Sequence, residues 1–123
     1  MESSPSQESP FLVNLEESCC RQPSHGLEEG ELATDVGVLT ALGNDTRYEA
    51  LRLIAATDGG VCVCDLESAL GVSQGAVSQA LARLHAVDLV SRRKKGRWRY
   101  YSATPTARQI LAVFDKTRSP INE

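Results

Sequence analysis

A chain of 123 residues with a formal charge of −3 supports one domain, whose core is too small to spare many positions for buried polar chemistry. No stretch reaches the roughly 18 apolar residues of a membrane helix, and the N-terminus lacks a charged-then-apolar leader. A cytoplasmic protein with reduced thiols and no membrane partner is expected. The charge is unevenly divided: residues 1–45 hold nine acidic side chains against Arg21 alone, whereas residues 46–123 hold twelve basic against seven acidic. A basic domain therefore follows an acidic arm.

Residues 1–30 are rich in Ser, Glu, Pro and Gly, with Pro5, Pro10, Pro23, Gly26 and Gly30 as breakers. That composition buries too little surface to offset its ordering entropy, so a flexible acidic arm carrying Cys19-Cys20 is expected, with one apolar island at Phe11-Leu12-Val13. Residues 31–118 read as a folded domain and 119–123 as a tail. Leu32, Ala33, Val36 and Leu39 recur at helical spacing and Gly43 closes that helix. Asn44 or Asp45 can cap the next one, whose apolar face is Tyr48, Leu51, Ile54 and Ala55. After the turn Asp58-Gly59-Gly60, a short helix is expected over Val61 to Leu70, ending at Gly71.

Ser73 is a good N-cap for a helix to about Ala86 that buries Val77, Leu81 and Leu84. Two short helices joined by Gly71-Val72-Ser73 match a helix-turn-helix. Beyond Asp88 the period falls to two, so Leu89–Arg93 and Trp98–Tyr101 read as strands around a Lys-Lys-Gly-Arg tip. Pro105 suits the first turn of a last helix that buries Ile110, Leu111, Val113 and Phe114. The expected fold is mainly α with a β-hairpin (α+β): a winged helix-turn-helix of about five helices plus a wing. No internal repeat is present.

A recognition helix enters the major groove by its N-terminal end. Here that end carries Ser73, Gln74, Gly75, Ser78 and Gln79, with Arg83 farther along. Gln74 and Gln79 can hydrogen-bond base edges, Ser73 and Ser78 suit phosphate or base contacts, and Gly75 allows close approach. The hairpin adds Arg92, Arg93, Lys94, Lys95, Arg97 and Arg99, interleaved with Trp98, Tyr100 and Tyr101. Lysines on an edge strand can simply discourage aggregation, but six cations directly after a helix-turn-helix exceed that need and point to duplex DNA.

Four cysteines in two pairs, Cys19-Cys20 and Cys62-Val63-Cys64, with two histidines and no Cys-x-x-Cys, resemble a soft-metal site more than a zinc finger or a disulfide framework. Cys62 and Cys64 can equally be small buried hydrophobes. Residues i and i+2 of a regular helix lie about 200° apart and cannot chelate one ion, whereas an extended segment puts them on one face. Cys62 at an N-cap, half outside the helix, relaxes that conflict, and the helix N-terminus favours thiolates. Two thiols make a weak site, which Cys19 and Cys20 can complete. No Cys–His or Ser–His–Asp pattern is visible; His25 falls in the arm and His85 at a helix end, so no enzyme, prosthetic group or small-molecule substrate is expected.

From about Leu32 to Phe114 the chain resembles the arsenic-repressor (ArsR/SmtB) family of metal-responsive winged-helix repressors. The likeness rests on Cys62-Val63-Cys64-Asp65-Leu66, on Gly71-Val72-Ser73-Gln74 with Val77-Ser78 and Leu81, and on Gly96-Arg97-Trp98 with Tyr100-Tyr101. It implies a homodimer built from the first and last helices that sits on a palindromic operator and leaves it when its ligand binds. Three departures stand out. Glu67 occupies the position of the prototype arsenic sensors' third cysteine. Residues 104–123 lack the histidine of the family's zinc and cobalt site. Ala80 replaces a histidine common in its recognition helix. A third thiolate must then come from Cys19 or Cys20, as in the family's cadmium/lead sensors.

The expected function is a dimeric repressor of metal-resistance genes, induced by a thiophilic species bound to Cys62, Cys64 and one or both of Cys19 and Cys20. Arsenite or antimonite, As(III)/Sb(III), prefers three thiolates; Cd(II), Pb(II) or zinc takes four. Arsenite leads, and a thiol redox switch on the same fold is the rival. Drawing Cys62 and Cys64 round one ion should strain the start of the helix that supports Ser73.

Overall fold

The computed structural model describes residues 20–118. The chain divides into two units, Met1–Ala33 and Thr34–Glu123. In the described part of the first, the backbone is non-helical as far as Glu28, whose N–H donates to Glu31 Oε1 at 3.0 Å. Helix α1 (Glu29–Leu42) opens there, three residues ahead of Leu32, where the apolar spacing begins. The calls made on residues 1–19 and 119–123, including the apolar island and Cys19, lie outside the described residues.

The second unit continues α1 and adds α2 (Asp45–Ala55), α3 (Val63–Leu70), α4 (Gln74–Ala86), strands β1 (Val90–Lys95) and β2 (Trp98–Ala103), and α5 (Pro105–Arg118). Among the described residues these are five helices and one antiparallel hairpin, a winged helix-turn-helix. None of the helices is long and apolar enough to cross a membrane.

Local chemistry sets the boundaries. Asn44 Oδ1 accepts the Arg47 N–H at 3.0 Å and starts α2. Arg47 then reaches back, its guanidinium donating to the carbonyls of Ala41 and Thr40 at the end of α1. Gly71, in the left-handed conformation at φ 69°, ends α3, and Ser73 Oγ caps α4 through the Ala76 N–H. Thr104 is buried because its hydroxyl works twice, donating to Asp88 O at 2.8 Å and accepting the Ala107 N–H that begins α5. The core gathers Leu51 and Ile54 of α2, Leu66 of α3, Val77, Leu81 and Leu84 of α4, and Leu89, Val90 and Leu111, each at most 4% exposed. Burying such a side chain is worth about 1.5–3 kcal/mol.

Three local expectations change. Val61 and Cys62 are outside α3, because Val61 pairs with Tyr101 across β2 and is held extended. Both strands run longer than the alternation suggested, to Lys95 and Ala103, so that only Gly96 and Arg97 form the tip. Of the last helix's expected core residues, Leu111 is buried and Ile110 partly so, whereas Val113 (56% exposed) and Phe114 (39%) stay exposed. Val113, at i+2 from Leu111, lies on the side of the helix opposite the Ala107–Leu111 stripe, while Phe114, at i+3, stays beside that stripe and packs edge-on against Tyr48 instead of entering the core.

Candidate thiol site and nucleic-acid interface

Cys62 is the N-cap of α3, with extended backbone (φ −96°, ψ 168°), and Cys64 lies one residue inside the helix. This junction resolves the i, i+2 conflict: the two Sγ atoms lie 2.9 Å apart as free thiols. Cys62 is 9% exposed, while Cys64 is open to solvent. Asp65 completes a cluster of candidate ligand atoms within 4.8 Å of one another. Its Oδ2, however, accepts the Cys62 N–H at 3.2 Å and so is already engaged in starting the helix. The hydrogen bond with Cys62, then burial, then the neighbouring charges of Cys62 and Asp65 push the Cys64 thiol up from its usual range.

A tetrahedral ion with bonds of about 2.3 Å to sulfur would hold two sulfurs about 3.8 Å apart, a separation the exposed Cys64 can reach by side-chain rotation. The donor set is thus two soft thiols with one committed carboxylate, suited to a thiophilic species and poor for a hard cation. Cys20 is exposed.

The site is tied to both the recognition helix and the wing. Leu66 of α3 joins Val77 and Leu81 of α4 in the core. On the other side, the Val61 pairing couples the thiol segment to β2. Ser73, Gln74, Gly75, Ser78, Gln79 and Arg83 are all exposed on α4, although the Ser73 hydroxyl is occupied as a cap. Arg93, Lys94, Lys95, Arg97 and Arg99 are exposed on the hairpin. Register sets Lys94 directly opposite Arg99, a like-charge pair that costs hairpin stability unless an anion lies beside it. Arg93 also approaches Gly59 O at 3.5 Å. Ala80, by contrast, is 5% exposed and packs inward.

The model of bacterial regulatory proteins of the arsR family matches residues 44–92, the span from the α2 cap into β1. A Halobacterium salinarum protein named as an arsenical resistance operon repressor is 52% identical over 107 residues, covering 87% of this chain and 89% of its own. The chain belongs to the ArsR family. A second ArsR relative of that organism, also named for arsenical resistance, is 40% identical over 71% of this chain and 67% of its own. Among solved structures, NolR from Sinorhizobium fredii aligns with a TM-score of 0.69 at 30% identity, covering 79% of this chain and 96% of that one.

Two features of this ArsR protein escaped the reading of its sequence. Asp65 lies among the candidate ligand atoms around the two thiols, which its place directly after Cys64 could have suggested. A cleft of about 360 Å³ lined by Val63, Cys64, Glu67, Gln74, Trp98 and Arg99 joins thiol helix, recognition helix and wing. Nothing in the linear order signals it.

Proposed function

We propose that this ArsR-family protein is a homodimeric, DNA-binding repressor of arsenical resistance genes, released from a palindromic operator when a trivalent arsenic or antimony species binds Cys62 and Cys64. The observation that carries the reading is the thiol pair itself, 2.9 Å apart at the N-cap of the helix that leads into α4. The names of the relatives support arsenic as the element. Cys19 or Cys20 supplies a third thiolate to inorganic arsenite, whereas Cd(II) or Pb(II) would recruit both. Reduced thiols require a reducing compartment, so the cytoplasm is the proposed location.

Binding exchanges As–OH for As–S bonds, and each thiol proton leaves with hydroxide as water. Cys62 is held by the Asp65 carboxylate and by Val61 in the β-bridge, so the exposed Cys64 moves toward the shared atom. That rotation works on the first turn of α3, and Leu66 transmits it to Val77 and Leu81 of α4. The Ser73–Gln79 end then leaves its register in the groove. A full switch needs the inducer to prefer the released conformation by about 10⁴-fold; tight binding without that preference moves nothing. Arg93, Lys94, Lys95, Arg97 and Arg99 provide phosphate contacts and Gln74 and Gln79 the base contacts.

The test is operator-DNA anisotropy with reduced protein, titrated separately with arsenite, antimonite, cadmium, lead and zinc. Release by micromolar arsenite, abolished in Cys62→Ser and Cys64→Ser, is the expected result. A Cys64→Ser protein that still left its operator on arsenite addition would overturn the proposal.

A further inference from the structure

Helix α4 has a cleft on each flank, and the DNA contacts assigned above use only one of them. On the wing side α4 contributes Gln74. On the other side a cleft of about 500 Å³ runs between α4 and the start of α2, lined by Asn44, Thr46 and Arg47 of that start and by Ala76, Gln79 and Arg83 of α4. Ala76, Gln79 and Arg83 recur at helical spacing and form one stripe. Arg83 follows Gln74 by nine residues, roughly two and a half turns, so the two stand on opposite sides of the helix.

The lining has the chemistry of an anion seat. No acidic residue borders this cleft, whereas the wing cleft includes Glu67. Its two cations differ in kind. The Arg47 guanidinium is fixed, donating to the carbonyl of Ala41 at 2.8 Å and to that of Thr40 at 3.2 Å. Its charge therefore stands at the wall with little side-chain freedom left to lose. Arg83 is exposed and, among the described residues, has no hydrogen-bond or ion-pair partner. A guanidinium is a planar fork of five donors that matches phosphate oxygens two at a time. Thr46, half-buried at the same wall, adds a neutral hydroxyl.

A helix lying in a major groove about 12 Å wide has a sugar–phosphate strand on each side. The hairpin cations serve the strand on the wing side and leave the other without a partner. An open, arginine-lined, acid-free groove along the far flank of the same helix matches that second strand in charge and in place. We propose that the cleft between α2 and α4 seats the operator strand bordering the major groove on the side away from the wing. Arg83 binds one phosphate in each subunit and Thr46 donates to the same group. This rests on the reading of α4 as the recognition helix. With a strand held on each flank, α4 is fixed in depth and tilt, which positions Gln74 and Gln79 over the bases.

The probe is a duplex that wild-type full-length protein selects from a random-sequence pool. Anisotropy then gives log K against log salt for wild type, Arg83→Ala, Arg83→Lys, Thr46→Val and Lys94→Ala. Arg83→Ala is expected to flatten the slope by about 2, one phosphate per subunit of a dimer, and to weaken related duplex sequences alike. Arg83→Lys should keep the slope, and Thr46→Val should weaken binding a few-fold without changing it. Single phosphates of the duplex are next replaced by neutral methylphosphonates. The position whose neutralisation weakens wild type but not Arg83→Ala marks the seat. It should lie across the major groove from the position that Lys94→Ala masks in the same way.

An unchanged slope in Arg83→Ala, or both variants masking the same strand, overturns the inference. So does a loss confined to particular base pairs, which would make Arg83 a base reader. A role limited to the last turn of α4 would lower the urea midpoint and leave the slope alone. If wild type selects no duplex at all, the DNA-binding reading fails as well.

Discussion

Val61 and Tyr101 exchange both backbone hydrogen bonds, Val61 N–H to Tyr101 O at 2.9 Å and Tyr101 N–H to Val61 O at 2.8 Å. The residue that precedes the first thiol is therefore stitched to the second strand of the wing. Movement at Cys62 has two exits, one through Leu66 into α4 and one through Val61 into β2.

Gly60 permits that stitch. It sits at φ +95°, and a Cβ built there would lie 3.1 Å from Tyr100 Cβ. Gly60→Ala combines a strained backbone with a close contact and is expected to cost about 1–3 kcal/mol. Urea denaturation of the variant against wild type measures this. A neutral substitution would mean that the Val61 pairing adapts freely and transmits little.

Lys94 and Arg99 face each other across the hairpin. We predict a slope of log K against log salt of roughly −5 to −7 for operator binding by a dimer, with Lys94→Ala flattening it by about 2, one phosphate per subunit. Because a like-charge pair is relieved, the same variant should be no less stable to urea than wild type. An unchanged salt slope would remove Lys94 from the DNA contact.

Val113 and Phe114 are exposed on α5, and Phe114 meets the Tyr48 ring of α2 edge-on at 6.0 Å. If a second copy covers this face of α5, replacing Val113 with Asp buries an unpaired charge in the interface and removes about 1.5 kcal/mol or more of apolar burial. Sedimentation velocity should then show dimer association weakened at least tenfold, toward monomer. Wild-type protein sedimenting as a monomer at micromolar concentration would dismiss the dimer.

The raised Cys64 pKa separates the candidate inducers by pH. A divalent cation needs thiolates and must displace the proton, and the upward shift extends the range over which Cys64 stays protonated, so cation binding strengthens as pH rises toward and past neutrality. Arsenous acid condenses with neutral thiols and releases water, with no net proton. From pH 8 to pH 6 the cadmium midpoint for operator release should rise at least tenfold, the arsenite midpoint by less than about threefold. Equal dependence on pH for both would refute this account of the chemistry.

What the sequence determined by itself was local. The Asn44 and Ser73 caps, the Gly71 turn and the hairpin after Asp88 all follow from interactions spanning a few residues, and the structure bears them out. The same locality explains the rest. Whether Val61-Cys62 begins a helix or ends an extended segment is ambiguous from alternation alone, and pairing with the distant Tyr101 decides it. The partial exposure of Phe114 is likewise a tertiary result, because helical spacing keeps it beside the Ala107–Leu111 stripe and only the fold decides that it meets Tyr48 rather than the core. The cleft that both Trp98 and Cys64 line exists only because β2 returns past α3. Backbone hydrogen bonding and core packing across the fold made that juxtaposition, and no short-range pattern encodes it.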